Sequence, residues 1–96
     1  MLIEKGKWIA VLGGGQLGKM LCESARRQGY KTMVLEPSKA ACAALEADLH
    51  LAKPYDDKES LLYIAKNSSV ITYEFENVPS EAIDILEENG GYIPQG

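Results

Sequence analysis

Short apolar runs alternate with helix-spaced apolar positions along almost the whole chain. Trp8-Ile9-Ala10-Val11-Leu12 is a continuous apolar run ending in glycines, the pattern of a strand buried on both faces. From Gln16 to Gln28 the apolar residues fall at Leu17, Met20, Leu21 and Ala25, the spacing of one helical face, and Gly29 stands where a helix would stop. Thr32-Met33-Val34-Leu35 predicts a second strand, closed by Glu36-Pro37. Ser38 can cap an alanine-rich helix from about Lys39 to Ala47. Leu49-His50-Leu51-Ala52 predicts a short third strand. Asp56-Asp57-Lys58-Glu59 has the form of a capped helix start, continued by Leu61, Leu62 and Ala65. Val70-Ile71-Thr72-Tyr73, rich in β-branched residues, predicts a fourth strand. Pro79 and Ser80 open a last helix carrying Ala82, Ile83 and Leu86 and ended by Gly90. Tyr92-Ile93 before Pro94 predicts a fifth strand.

Strict alternation of strand and helix implies an α/β fold with a parallel sheet and helices on both faces. Right-handed crossovers leave few arrangements, and the expected one is a five-stranded, Rossmann-like sheet of order 3-2-1-4-5. No linker, repeat or low-complexity segment breaks the pattern, so residues 1–96 read as one domain. The sequence stops at Gln95-Gly96, just past the fifth predicted strand and with no helix to cover that edge. The expectation is a domain cut from a longer protein. An open strand edge also invites pairing of two copies into a homodimer.

Composition narrows the functional classes. The chain is 46% hydrophobic and 25% charged, ordinary for a soluble globular domain. A net charge of −4 without long runs of like charge offers no nucleic-acid footprint and no polybasic membrane patch. The first apolar run is too short to span a bilayer, and no signal peptide precedes it, so a cytoplasmic location is expected. Cys22 and Cys42 lack the spacing of a metal site or redox motif and read as small buried residues. No metal ligand set is visible.

Two segments carry candidate chemistry. Gly13-Gly14-Gly15-Gln16-Leu17-Gly18 matches G-x-G-x-x-G between a strand and a helix. There the glycines permit a tight turn and close approach of a ligand to backbone, and the helix N-terminus supplies unpaired N–H groups and positive dipole. A tight βα turn without a ligand would produce the same string. Lys19, one residue on, is within reach of a phosphate at that loop, although a solvated helix face also explains it, as it does Arg26 and Arg27. Glu36 ends the second strand eighteen residues after Gly18. An acid there could hold ribose hydroxyls, as in a NAD-binding domain, or simply precede Pro37 at a solvated strand end. The second segment is Thr72-Tyr73-Glu74-Phe75-Glu76-Asn77, at the carboxyl end of the fourth strand. With strands one and four adjacent, Gly13–Gly18 and Glu74 would face one crevice at the switch point of the sheet. Ionised Glu74, and less directly Glu76, could accept from hydroxyls or an amine. A solvated acidic loop is the alternative for both. His50, Trp8 and Tyr30 read as structural.

Taken together, Gly13-Gly14-Gly15-Gln16-Leu17-Gly18-Lys19-Met20 and Thr72-Tyr73-Glu74-Phe75-Glu76-Asn77-Val78-Pro79 resemble the N-terminal, pre-ATP-grasp domain of the N5-carboxyaminoimidazole ribonucleotide synthetase family. Tyr55-Asp56-Asp57 and Ile93-Pro94 fit it at the expected spacings. Lys19 stands where many members have arginine, and Glu36 where aspartate is common. The likeness covers the whole chain but only the first quarter or so of a family member. It implies a ligase of de novo purine biosynthesis that uses ATP and bicarbonate, with Mg²⁺ beside the nucleotide, to carboxylate 5-aminoimidazole ribonucleotide by way of carboxyphosphate. It also implies that Gln16, Leu17 and Glu74 contact the substrate nucleotide. The ATP-grasp and C-terminal domains, absent from this chain, would hold ATP and Mg²⁺. No cofactor and no catalytic residue would then belong to these residues, which alone should be inactive. Two other readings stay open on pattern alone: an NAD(P)-binding module of a dehydrogenase or regulatory sensor, and a domain whose crevice is empty.

Overall fold

A computed structural model describes residues 7–39, 46–73 and 78–94. Among these the elements run β1 (Trp8–Leu12), α1 (Gln16–Arg27), β2 (Lys31–Leu35), β3 (Leu49–Leu51), α2 (Lys58–Asn67), β4 (Val70–Tyr73) and α3 (Ser80–Glu88). All strand pairings are parallel and the order is β3-β2-β1-β4. The register aligns Leu35, Leu12 and Tyr73 across the three neighbouring strands, so β2, β1 and β4 end level at one edge of the sheet.

The period of two along the strands sorts the core into two layers. Ala10, Leu12, Met33, Leu35 and Ile71 point to one face, where Leu61, Ile64 and Ala65 of α2 and Ala82 and Leu86 of α3 complete a buried cluster. Val11 and Val34 point to the other face and pack on Cys22 of α1. Helices thus cover both faces, as a parallel sheet requires.

Helix α1 departs from its expected burial. Gly18, Cys22 and Ala25 are buried, whereas Met20 is 61% exposed and Leu21 37%. Small residues at i, i+4 and i+7 let the helix lie close on the sheet, and the larger apolar residues beside that stripe are turned outward. Both α1 and α3 end in the same way. Gly29 and Gly90 have φ of 89° and 88°. In α1 the N–H groups of Gly29 and Tyr30 donate to the Arg26 and Ala25 carbonyls, each at 3.0 Å. In α3 those of Gly90 and Gly91 donate to Glu87 and Leu86, at 3.2 and 2.8 Å. Each pair of bonds is a Schellman closure, which needs a left-handed residue that glycine adopts without strain.

The expected fifth strand is not formed, so the sheet has four strands among the described residues rather than five in the order 3-2-1-4-5. One bond of the missing ladder is present: the Ile71 N–H donates to the Tyr92 carbonyl at 2.8 Å. In a parallel pair the returning bond to the Ile71 carbonyl would come from the N–H of residue 94. That residue is Pro94, which has none. Of the helix expected from Lys39 to Ala47, residues 40–45 lie outside the described ones, as does Cys42, and Glu46 and Ala47 are not helical.

Asp57 caps α2. Its Oδ2 accepts from the Ser60 hydroxyl at 2.6 Å and the Ser60 N–H at 3.1 Å. These bonds, the hydroxyl's first, hold its carboxyl below the ordinary aspartate range. A depressed folded-state pKa contributes stability that is present above the unfolded value, about 4, and is lost as pH falls through the folded one. The expected result is that Asp57→Ala lowers Tm at pH 7 and that the gap to the unaltered chain narrows as pH falls below about 4. Paired melting curves at pH 7 and pH 3 check it, and a gap that widens in acid would contradict the assignment.

Candidate functional site

The carboxyl edge of the sheet is where the glycine-rich loop emerges. Gly13 follows Leu12 directly and adopts φ of 121°, a conformation that costs a residue with Cβ. Its N–H donates to the Leu35 carbonyl at 3.0 Å, which ties the loop to the end of β2. Gly13 and Gly14 are buried, Gly15 is exposed, and Gly15 is the N-cap of α1. Gly15 has no side chain to cap with, and no acidic residue lies in the first turn. The first intrahelical bond runs from the Lys19 N–H to the Gly15 carbonyl at 3.0 Å. The N–H groups of Gln16, Leu17 and Gly18 therefore have no intrahelical acceptor at the positive end of the helix dipole.

Gln16 and Leu17 are the first two residues of α1, and Gln16 is exposed. Gly18 is buried, and Lys19 is half-buried one turn from the loop. β4 ends at Tyr73, level with Leu12, so the carboxyl end of β4 adjoins the strand end from which the glycine loop emerges. Glu74 and Glu76 lie outside the described residues. The winding reverses between β1 and β4: β2 and β3 build outward on one side of β1, and β4 joins on the other. Ligands of open α/β sheets bind outside the strand ends at such a point.

Glu36 is bonded throughout. Its Oε1 accepts from the Tyr55 hydroxyl at 2.7 Å and its Oε2 from the Ser38 N–H at 2.8 Å. Its N–H donates to the Leu51 carbonyl at 3.1 Å, and His50 Nε2 lies 2.9 Å from its carbonyl. His50 is thus tied to the backbone at the end of β2. Tyr55 is the partner that residue patterns did not bring out. Nothing local marks a contact nineteen positions away, and only the placement of the β3–α2 connection creates it. Trp8 lies at the opposite edge of the sheet, against the core and under Lys31, whose Nζ is 5.6 Å from its ring centroid.

Away from this edge, several polar groups brace the scaffold. Thr32 donates its N–H to Asp48 Oδ2 at 2.8 Å and accepts from the Asp48 N–H at its carbonyl, at 3.0 Å. Arg26 Nη2 donates to the Glu46 carbonyl at 2.8 Å. Burial pushes the Cys22 thiol above its ordinary pKa, opposed by its hydrogen bond with Thr32, so this thiol is a packing group and a poor nucleophile. Among the described residues no three histidine, cysteine, aspartate or glutamate side chains converge on a metal position, and no helix is long and apolar enough to cross a membrane.

A glycine loop between a buried strand and a helix, at the switch point of a parallel sheet, is shared by several nucleotide-binding families. Comparison with known proteins separates them. A model of the ribonucleotide synthetase preATP-grasp domain matches residues 6–96. The chain belongs to this preATP-grasp domain family. An N5-carboxyaminoimidazole ribonucleotide synthase of Brucella melitensis is 46% identical over 92 residues, which are 96% of this chain and 25% of that protein. A Bacillus subtilis protein of the same name is 41% identical over 95 residues, 99% of this chain and again 25% of its own length. The N5-carboxyaminoimidazole synthetase of Staphylococcus aureus, solved in complex with ADP, superposes with a TM-score of 0.89. It is 40% identical, over 98% of this chain and 25% of that one. This preATP-grasp domain therefore spans about a quarter of the length of the relatives it matches.

Proposed function

We propose that this domain holds one side of 5-aminoimidazole ribonucleotide within an ATP-dependent ligase that carboxylates the exocyclic amine of that substrate, a cytoplasmic enzyme of purine biosynthesis. The observation that carries the reading is identity above 40% with synthases of that product over nearly the whole chain. The glycine loop beside the end of β4 agrees with it. Gln16 offers an amide that can both donate and accept. Leu17 supplies an apolar contact, and Glu74 accepts from the ribose hydroxyls or the amine. The glycines let substrate approach the start of α1. Gly13, Gly14, Gly15 and Gly18 are in this reading structural parts of the site, with Lys19 and Glu76 at its margin.

ATP and Mg²⁺ would supply the activation of bicarbonate. In this reading the groups that hold ATP and Mg²⁺ belong to other parts of the ligase. These 96 residues bind substrate without turning it over. A nicotinamide-binding module is not favoured, because the relatives that match over the full chain are ribonucleotide synthases.

The test is calorimetric titration of the chain with 5-aminoimidazole ribonucleotide, beside Glu74→Ala and Gln16→Ala. One hydrogen bond to an ionised acceptor contributes about 1.5–3 kcal/mol, so Glu74→Ala should weaken binding by roughly ten-fold to a hundred-fold. Gln16→Ala, which removes a neutral partner, should weaken it several-fold. Ribonucleotide binding that ignores both substitutions would refute the assigned site.

A further inference from the structure

Glu36, at the carboxyl edge of the sheet, is tied into the fold on every side. All four of its polar groups are engaged: with β3 through Leu51 and His50, with the following turn through Ser38, and with the β3–α2 connection through Tyr55. Directly before it, the Leu35 carbonyl receives the N–H of Gly13, so the knot abuts the glycine loop. In a sheet with this loop, an acid at the end of β2 is the group that holds the ribose of a dinucleotide. To do so it must present its lone pairs to the crevice. Here a tyrosine hydroxyl of the same chain occupies Oε1 at 2.7 Å.

Tyr55 is well placed to keep that position. Its ring is partly buried against the main core. Two short turns brace the segment on either side, with the Lys53 N–H on the Leu51 carbonyl at 2.9 Å and the Asp57 N–H on the Pro54 carbonyl at 3.1 Å. The hydroxyl is therefore preorganised, and an incoming ribose must displace it rather than water alone.

We propose that the Glu36–Tyr55 pair is a specificity device, which commits the acid internally, closes the β2–β3 side of the crevice to the adenosine ribose of a dinucleotide, and confines ligand to the β1–β4 side. Glu36 is on this account a positioning residue. The inference does not rest on the ribonucleotide reading, which concerns the other side of the crevice.

The test is an NMR shift titration of the 96-residue chain with NAD, in the unaltered form, in Tyr55→Phe, and in Tyr55→Phe combined with Glu36→Gln. Tyr55→Phe keeps the packed ring and removes only the hydroxyl. Its NAD affinity should rise about tenfold or more, the ratio that one hydrogen bond to a carboxylate supplies, with shifts centred on residues 35–38. The double variant should lose the gain, a result that a merely structural role for the pair would not produce. A folded Tyr55→Phe with no gain overturns the proposal, as does unaltered protein that binds NAD equally well. So does unfolding of Tyr55→Phe, which would assign the pair to holding the fold. Titration with 5-aminoimidazole ribonucleotide is a separate arm, whose failure would count against the substrate reading alone.

Discussion

Leu86→Ala should cost about 2–5 kcal/mol of folding stability, the loss expected when a fully buried leucine is truncated. Leu86 is fully buried in α3 and packs in the cluster shared with α2 and the sheet. The backbone is also closely packed at its carbonyl. Its carbonyl receives the Gly91 N–H at 2.8 Å. A Cβ built on Gly91 would lie 2.8 Å from that carbonyl oxygen and 2.7 Å from Ile71 Cδ1, so backbone and β4 already touch there. Surroundings this close can collapse little into the space a leucine leaves, which puts the loss toward the upper part of the range. A domain of this size has only about 5–15 kcal/mol in total. Urea unfolding should show a large fall in midpoint at unchanged slope. Tyr92→Ala, two residues past the same helix closure and 43% exposed, should move stability by about 0.5 kcal/mol or less. Similar losses in both variants would mean that the α3 contact is not where the stability resides.

Elements with a clear period and chemical stops were legible in the sequence. β1 and β4 occupy the expected residues, Trp8–Leu12 and Val70–Tyr73, and α1 and α3 end at Gly29 and Gly90 for the expected reason. Long-range geometry was less legible. The apolar residues of α1 suggested a buried face through Met20 and Leu21. The helix instead seats Gly18, Cys22 and Ala25 on the sheet, because closeness of approach rather than hydrophobicity selects its inner face. Tyr92-Ile93 has the composition of a strand, but strand pairing needs donors from both partners. Pro94 removes one at the position where the ladder would continue.

The site divides along the same line. The glycine loop and its place at the switch point follow from local pattern and strand order together. The environment of Glu36 does not, since its partners come from Ser38, His50, Leu51 and Tyr55, and only the fold brings the last three to it. A spacing rule can find an acid at the end of β2 but cannot say whether its carboxylate oxygens already have partners within the fold.

The glycine loop offers the sharpest separation of stability from binding. Gly13→Ala should lower stability by about 1–3 kcal/mol, because φ of 121° lies outside the regions a residue with Cβ occupies readily. The alternative to bearing that strain is to rotate the peptide, which would break the 3.0 Å bond to the Leu35 carbonyl and move the start of α1. Either way the loop loses its shape, and if it receives substrate as proposed, 5-aminoimidazole ribonucleotide binding should fall with Tm. Gly15 should behave oppositely. It has φ of −81° and ψ of −165° at the N-cap, an extended conformation open to any residue. Serine is favoured at N-caps, so Gly15→Ser should leave stability unchanged or raise it by a few tenths of a kcal/mol. A side chain there would nevertheless stand between substrate and the first turn of α1, and binding should drop. Melting curves and calorimetric titrations on both variants check the pair. If Gly15→Ser binds ribonucleotide as well as the unaltered chain, substrate does not approach the helix start, and the proposed site must move along the edge of the sheet toward β4.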